Sequence, residues 1–512
     1  MRVTNSMISN SARQHISTAK NKLMTAEEQY TTQKKIQRPS DDPTIASRAL
    51  KFRNTVAQIA QYLEKNVEDA MDWMDNTEGA MTNASSVLKN MKGVLNEGAN
   101  GPLAAQQRTS VLAQVREYAN SIFEEEANSN YAGRYLFTGY RTDTSLLFPT
   151  ASESLEYKIT QKFESTDIDL IRNVTSNIAY QENATAEDYA AMETKINECY
   201  RIQLAYNNCS KDPITGETDA FSMNLVTKDA DGNLQTTAVD PIGIVSKDDP
   251  YAYDLEQYNQ ENGTHYTALY IYDAGDVVLS EDLYSQIQSE EASITIDYTK
   301  KSFDKNAIRP EMYFECTSYN TVSMKTVHYN EPTDQNLDYE INTRQTLTVN
   351  TQAKDAFSTD IYRVLDYIEQ AINGVTDVEK RITEVEKQIA NTPENDTETL
   401  EALKTLKESL ENEQELRVSV MNSAFGMGLT MVDTVSQKLD VAVAELGAKY
   451  NRLQLTYDKL LDQQTIAEEQ LSDNEEMDIS DAIINLTQAD NLYQASLSAT
   501  AKILGNSLLN YI

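Results

Sequence analysis

Residues 56–95 read VAQIAQYLEKNVEDAMDWMDNTEGAMTNASSVLKNMKGVL, and their spacing decides the architecture. Val56, Ala60, Leu63, Val67, Ala70, Met74, Thr77, Met81, Ala84, Leu88, Met91 and Leu95 recur in unbroken steps of four and three. That period lays one apolar stripe along one side of a helix, the pattern of a coiled-coil seam. Met74, Met81 and Met91 belong to this seam rather than to a ligand site. The helix is expected to run from Pro43 to about Glu97. At 1.5 Å per residue it would be a rod of roughly 80 Å, too long for the core of one compact domain. Gly79 and Gly93 weaken it by about 1 kcal/mol each relative to alanine.

Outward from this stretch the pattern repeats. Upstream, a helix over about 8–36 carries Ala12, Ile16, Ala19, Leu23, Ala26 and Tyr30 on one face. Arg38-Pro39-Ser40-Asp41-Asp42-Pro43 then stops one helix and starts the next. Pro39 biases Arg38 away from helical geometry. Asp42 is placed to cap the following helix, with Pro43 at its first position, where a missing N–H costs nothing. Downstream, Gly98-Ala99-Asn100-Gly101-Pro102 ends the rod, and a third helix presents Val111, Val115, Tyr118 and Ile122.

Near the other end the stripes return. Ile361, Leu365, Ile368 and Ile372 predict a helix ended by Gly374. A charged helical hairpin at 376–415 follows, striped by Val378, Ile382, Val385 and Ile389 on one arm and by Leu400, Leu403, Leu406 and Leu410 on the other. A long helix carries Val432, Val435, Leu439, Leu446, Tyr450, Leu453, Tyr457 and Leu460. After the acidic stretch Ser472–Asp478, the last helix shows Ile483, Leu486, Tyr493, Leu497, Thr500, Leu504 and Tyr511.

The middle is of another kind. Residues 131–350 are rich in Thr, Tyr, Asp and Asn. Leu155–Ile159, Thr267–Tyr272, Ser293–Tyr298 and Thr346–Val349 read as strands. Asp231-Gly232-Asn233 and Asn262-Gly263 read as turns, and a local helix is expected around Ala184–Ala205. The fold class expected is α+β: elongated, with N- and C-terminal helices paired in a coiled-coil-like bundle and a mostly-β insertion at the tip. The expected division is 1–42 with 473–512 as a terminal segment, disordered in the monomer; 43–140 with 355–472 as the long bundle; and 141–354 as the insertion.

Composition supports long regular elements. Gly and Pro total 26 of 512 residues, about 5% against roughly 12% in average proteins. Net charge is −36, which repels nucleic acid and anionic membrane faces. No run of about twenty apolar residues is present to span a bilayer, and the N-terminus has no apolar signal-peptide core. Cys199, Cys209 and Cys316 are too few for a disulfide framework; three free thiols is the favoured reading, with a Cys199–Cys209 pair as the alternative. His15, His265 and His328 lack metal-ligand spacing. The acidic stretch lacks the glycine and spacing of a calcium loop. Gly426-Met427-Gly428 is not a phosphate loop and reads as a joint or a close-packing point. No catalytic, metal or cofactor constellation emerges.

Residue patterns at both ends resemble the flagellin superfamily of bacterial flagella. At the start these are Met1-Arg2-Val3-Thr4-Asn5-Ser6-Met7-Ile8, the break Arg38–Pro43 followed by Ser47-Arg48-Ala49-Leu50, Trp73, Glu97–Gly101 and Gly133-Arg134-Tyr135-Leu136-Phe137-Thr138-Gly139. At the other end they are Glu445–Leu453, Ala482–Leu486, Tyr493–Leu497 and the tail Ala501–Leu504 with Leu508–Ile512. The resemblance covers roughly residues 1–140 and 415–512, and is nearest to the subunits that join hook to filament. It implies an extracellular structural subunit, exported without a classical signal peptide through the flagellar secretion channel, with a possible export chaperone. Its partners would be copies of itself, a hook-associated protein on the hook side and flagellin on the filament side, with no nucleic acid and no membrane. Ile16, Leu23, Tyr30, Ile483, Leu486, Tyr493, Leu497 and Leu504 are the expected assembly interface. The alternatives are a flagellin that forms the filament itself, and an adhesive surface module carried on the middle insertion.

Overall fold

A computed structural model describes residues 5–100, 104–182, 184–228, 233–333, 335–394 and 396–509. Seven long helices stand among the described residues: α1 (Asn5–Thr32), α2 (Pro43–Gln61), α3 (Glu68–Asn100), α4 (Ala105–Ser121), α5 (Asp360–Asn391), α6 (Thr397–Glu475) and α7 (Ile479–Leu509). The β-rich middle lies between α4 and α5. The chain forms two compact units. One comprises Met1–Asp72, Asp338–Leu347 and Tyr450–Ile512; the other comprises Trp73–Leu337 and Thr348–Lys449.

The stripe of residues 56–95 is used as its period requires. From Leu63 to Leu95 every stripe position is buried, and Val56 and Ala60 are half-buried. The helix is not uniform, however. A single π-turn, Tyr62–Val67, joins α2 to α3. Its extra residue buries Tyr62 beside Leu63. It also presents two donors to the hairpin formed by Asp338–Asn342 and Gln345–Thr348. Tyr62 donates from its hydroxyl to Glu340 Oε1 (3.1 Å), and Asn66 Nδ2 donates to the Glu340 carbonyl (2.8 Å).

The second unit holds two antiparallel-rich sheets. One has six strands in the order Lys325–Tyr329, Glu315–Asn320, Leu155–Phe163, Ser293–Lys300, Phe221–Lys228, Leu234–Ala238, all antiparallel. The other has five, in the order Ile168–Ser176, Thr194–Gln203, Asp276–Leu279, Ala268–Ile271, Ile242–Val245, with only the last pair parallel. Period-two alternation aims Ile159, Leu225, Ile294 and Ile296 of the first sheet and Ile202, Tyr270 and Val277 of the second into one shared core.

A buried charge cluster fastens this β region to α5. Asp276 lies between two guanidinium groups, with Arg201 at 3.7 Å and Arg363 at 3.5 Å. It also accepts a hydrogen bond from the Tyr253 hydroxyl (2.8 Å). Arg363 donates further to the carbonyls of Leu204 (2.7 Å) and Ala274 (2.6 Å). Two cations sharing one carboxylate out of water need these extra acceptors to offset desolvation.

The structure departs from the sequence expectations at four places. Thr194–Gln203 is a strand, not part of a helix, and only Ala186–Ala190 is helical there. Pairing of Ile202 with Val277 on one side and Ile168 on the other outweighs its weak local helix preference. Gly374 does not end a helix, because α5 runs through it. A Cβ at that glycine would meet Arg417 Nη1, the movable end of a flexible side chain, at 3.0 Å. The charged hairpin is not separate from its neighbours: its arms are the end of α5 and the start of the 79-residue α6. Finally, α1 ends at Thr32, short of residue 36, where Gln33 takes φ of 57°. The turn expected at Asp231-Gly232 lies outside the described residues.

The hairpin is also less solvated than its charge suggests. Val378, Val385, Leu403, Leu406 and Leu410 pack with Ile178 and Tyr189 of the β region. Glu413, fully buried, accepts from Ser176 Oγ (2.9 Å), Arg417 Nε (2.8 Å) and Arg381 Nη1 (3.3 Å).

Candidate assembly interface

Within the first unit, α1 lies along α7. Helices this far apart in sequence meet through small residues. On α1 the covered line is Ala12, Ile16, Ala19, Leu23 and Ala26; on α7 it is Ala482, Leu486, Ala489, Tyr493, Ser496 and Thr500. The alanines are buried and the larger residues between them are half-buried. Steps of four and three hold on both sides.

The expected interface residues therefore divide. Ile16, Leu23, Leu486 and Tyr493 are half-buried in the intrachain seam. Tyr30, Ile483 and Leu497 stay 44%, 47% and 41% exposed. The Leu504 side chain lies outside the described residues. Ala482 and Ala489 were missed because the apolar stripe was read from large side chains; their seven-residue spacing was the available signal. A further apolar set is also uncovered: Met24, Leu50, Leu455, Leu461, Ile466, Ile479, Ile484 and Leu492. These lie off the seam, so no seam period marks them.

The two polar breaks meet and tie the unit together. Lys35 N donates to the Glu475 carbonyl (2.7 Å), and Met477 N donates to the Gln33 carbonyl (2.9 Å). Arg53 reaches Glu475 at 2.6 Å, and Asn474 Nδ2 donates to the Ile45 carbonyl (3.1 Å). In the Arg38–Pro43 break the paired aspartates have separate tasks. Asp41 Oδ2 accepts from Arg38 N (2.8 Å) and Gln37 N (3.2 Å), closing the loop. Asp42 Oδ1 accepts from Thr44 N (2.8 Å) and Ile45 N (3.2 Å), capping α2. These backbone donors, Ile45 first, hold the Asp42 carboxyl below its ordinary range. Asp478 does the same for α7, accepting from Ser480 N at 2.6 Å, and its pKa is lowered for the same reason.

The remaining chemistry is quiet. Cys199, Cys209 and Cys316 are buried free thiols, and burial pushes Cys199 up to about 12. Among the described residues no group of three or more His, Cys, Asp or Glu stands ready to hold a metal, and no helix is long and apolar enough to cross a membrane.

Comparison with known proteins matches both ends. The bacterial flagellin N-terminal helical region matches residues 3–142, and the bacterial flagellin C-terminal helical region matches 429–512. Flagellar hook-associated protein 3 of Escherichia coli (strain K12) is 27% identical over 177 residues, 33% of this chain and 55% of that protein. The match thus spans about half that relative's length. Flagellar hook-associated protein 3 of Salmonella typhimurium is 22% identical over 239 residues, 44% of this chain and 74% of its own. A putative flagellar hook-associated protein from Vibrio parahaemolyticus aligns over 85% of this chain and 100% of its own at 13% identity, with a TM-score of 0.35, too low to bear on the fold. The two flagellin helical regions thus lie at the two ends of the chain, the same ends at which α1 lies along α7.

Proposed function

We propose that this chain is a structural subunit of the bacterial flagellum, a junction protein between hook and filament, and not an enzyme. The observation that carries the reading is the division of apolar residues at the chain ends. The α1–α7 seam buries alanines and half-buries Ile16, Leu23, Leu486 and Tyr493, while Ile479, Ile483, Ile484, Leu492 and Leu497 stay uncovered on α7 itself. Burying a leucine or isoleucine of that set contributes about 1.5–3 kcal/mol, enough over a few contacts to overcome charge repulsion between copies. The buried alanines contribute less, about 0.8 kcal/mol per methyl. The terminal pair is therefore marginal in the monomer and orders fully on assembly.

In this reading the partners are copies of the chain in a short ring, a hook-associated protein on one side and flagellin on the other. The chain reaches the cell exterior through the flagellar export channel, with a chaperone on its C-terminal segment before export. A deletion strain should build hooks and shed flagellin into the medium; normal filaments in that strain would overturn the junction role. Long filaments grown from seeds by the purified chain would assign it instead to the filament. Hydrogen exchange on the monomer should find α1 and α7 far less protected than α3, and equal protection would contradict the marginal pairing.

A further inference from the structure

The geometry points to a second self-contact, in which the two open edges of the six-stranded sheet pair between neighbouring copies of this chain. This rests on the reading above that copies assemble side by side, but it uses a different surface.

Among the described residues both edges are open: Lys325–Tyr329 pairs only with Glu315–Asn320, and Leu234–Ala238 only with Phe221–Lys228. All five residues of the second edge are exposed, as are the first four of the other; Leu234 is 68% exposed. Edge strands are usually guarded by charge, proline or a bulge. Leu234-Gln235-Thr236-Thr237-Ala238 carries none of those residues. Beside Lys325–Tyr329, the turn exposes Val322 and Met324.

The outward backbone groups can be assigned. Val239 N donates to the Met223 carbonyl (3.0 Å), which makes that position a hydrogen-bonded pair. In an antiparallel ladder such pairs alternate. Leu234, Thr236 and Ala238 therefore turn their N–H and C=O groups away from the sheet. At the other edge, Thr321 N donates to the Ser154 carbonyl (2.9 Å). The same alternation commits Cys316, Ser318 and Asn320 to the Lys325–Tyr329 strand. Thr326 and His328 are then left facing outward.

Strand direction and charge select a second copy as the occupant. Six all-antiparallel strands end in two edges that run opposite ways. A neighbour in the same orientation thus offers its Lys325–Tyr329 strand antiparallel to Leu234–Ala238, a head-to-tail contact that suits a ring. Setting Thr326 against Thr236 and His328 against Leu234 satisfies the outward groups. It also keeps the core-facing side chains of both copies on one face, which a one-residue slip would not. Each copy carries a net charge of −36, so contact is least opposed where carboxylates are missing. Neither strand contains one, and Lys325 approaches the end of the neighbour's strand, which runs on into Asp240.

The test is disulfide trapping in the full chain with Leu234→Cys and His328→Cys together. Residues opposed across an antiparallel pair lie within disulfide range, and the native thiols are buried. Mild oxidation of sheared appendages should give a ladder of linked copies with the double variant and none with either single variant. Thr236→Pro in that background removes one outward N–H and should abolish the ladder, with monomer circular dichroism and Tm unchanged. Subunits present in the appendage at normal abundance without a ladder, or a ladder that survives Thr236→Pro, would overturn the proposal. If the chain is absent from appendages, the junction reading fails; the same trapping on the concentrated purified chain then decides the edge contact, and no ladder there refutes it.

Discussion

At the scale of single residues, Asp42 shows how much one carboxylate decides. It binds two backbone N–H groups that α2 leaves without helical partners. Its pKa is lowered in the folded chain from the ordinary 3.8. The unfolded chain thus binds a proton more readily, so the cap's contribution is present above that value and is lost as pH falls through the depressed folded pKa. Asp42→Ala should lower the helicity and Tm of the first unit above pH 4 and flatten their acid dependence below it, whereas Asp42→Asn should keep most of the cap. An unchanged acid profile in Asp42→Ala would refute this role. Gly98 is a second single-residue control. A Cβ there would sit 2.5 Å from the ring of Phe425, which is fully buried. Gly98→Ala should cost about 1–3 kcal/mol by overpacking, read as a lower denaturation midpoint. The Asp-Asp-Pro cap was legible in sequence. The Gly98 contact was not, because its partner lies more than three hundred residues away.

At the scale of elements, α7 carries covered and exposed apolar residues on one helix. Leu486 faces α1, while Ile483 faces solvent. Leu486→Ala should destabilise the α1–α7 pair by roughly 1–2 kcal/mol, below the range for a fully buried leucine. Ile483→Ser should leave the monomer's thermal melt unchanged and weaken assembly. Monomer melts and sedimentation of assembled material distinguish the two, and identical behaviour would erase the distinction. The Asp276 cluster belongs to this scale because it joins α5 to a sheet. Asp276→Ala leaves two buried guanidinium groups without their shared carboxylate and should cost about 3–5 kcal/mol, measured by urea denaturation. The helical stripes were legible as elements because their period survives in a bare sequence. The strand Thr194–Gln203 was not, since its conformation is set by the neighbours on either side. Nor was the π-turn at Tyr62–Val67, whose local residues look like ordinary helix and which carries two hydrogen-bond donors to Glu340.

At the scale of the whole molecule, charge opposes what the apolar residues favour. A chain of net charge −36 keeps its copies apart at low ionic strength. Raising salt from about 0.1 to 1 M shortens the screening length from roughly 10 to 3 Å. Self-association of the purified chain should therefore strengthen with salt, as light scattering or sedimentation would show; weakening would mean that attractive ion pairs dominate the contact. The amino-acid sequence by itself determined which stretches are striped helix, that the middle is strand-rich, and which family the two ends resemble. All of these follow from periodicity, caps and local residue type. Only the tertiary structure decided which stripe residues are covered within the chain and which stay exposed. It also decided that a helix runs through Gly374, and that among the described residues the six-stranded sheet keeps two open edges. Those outcomes depend on which surfaces meet across hundreds of residues, and a local pattern carries no record of its distant neighbour.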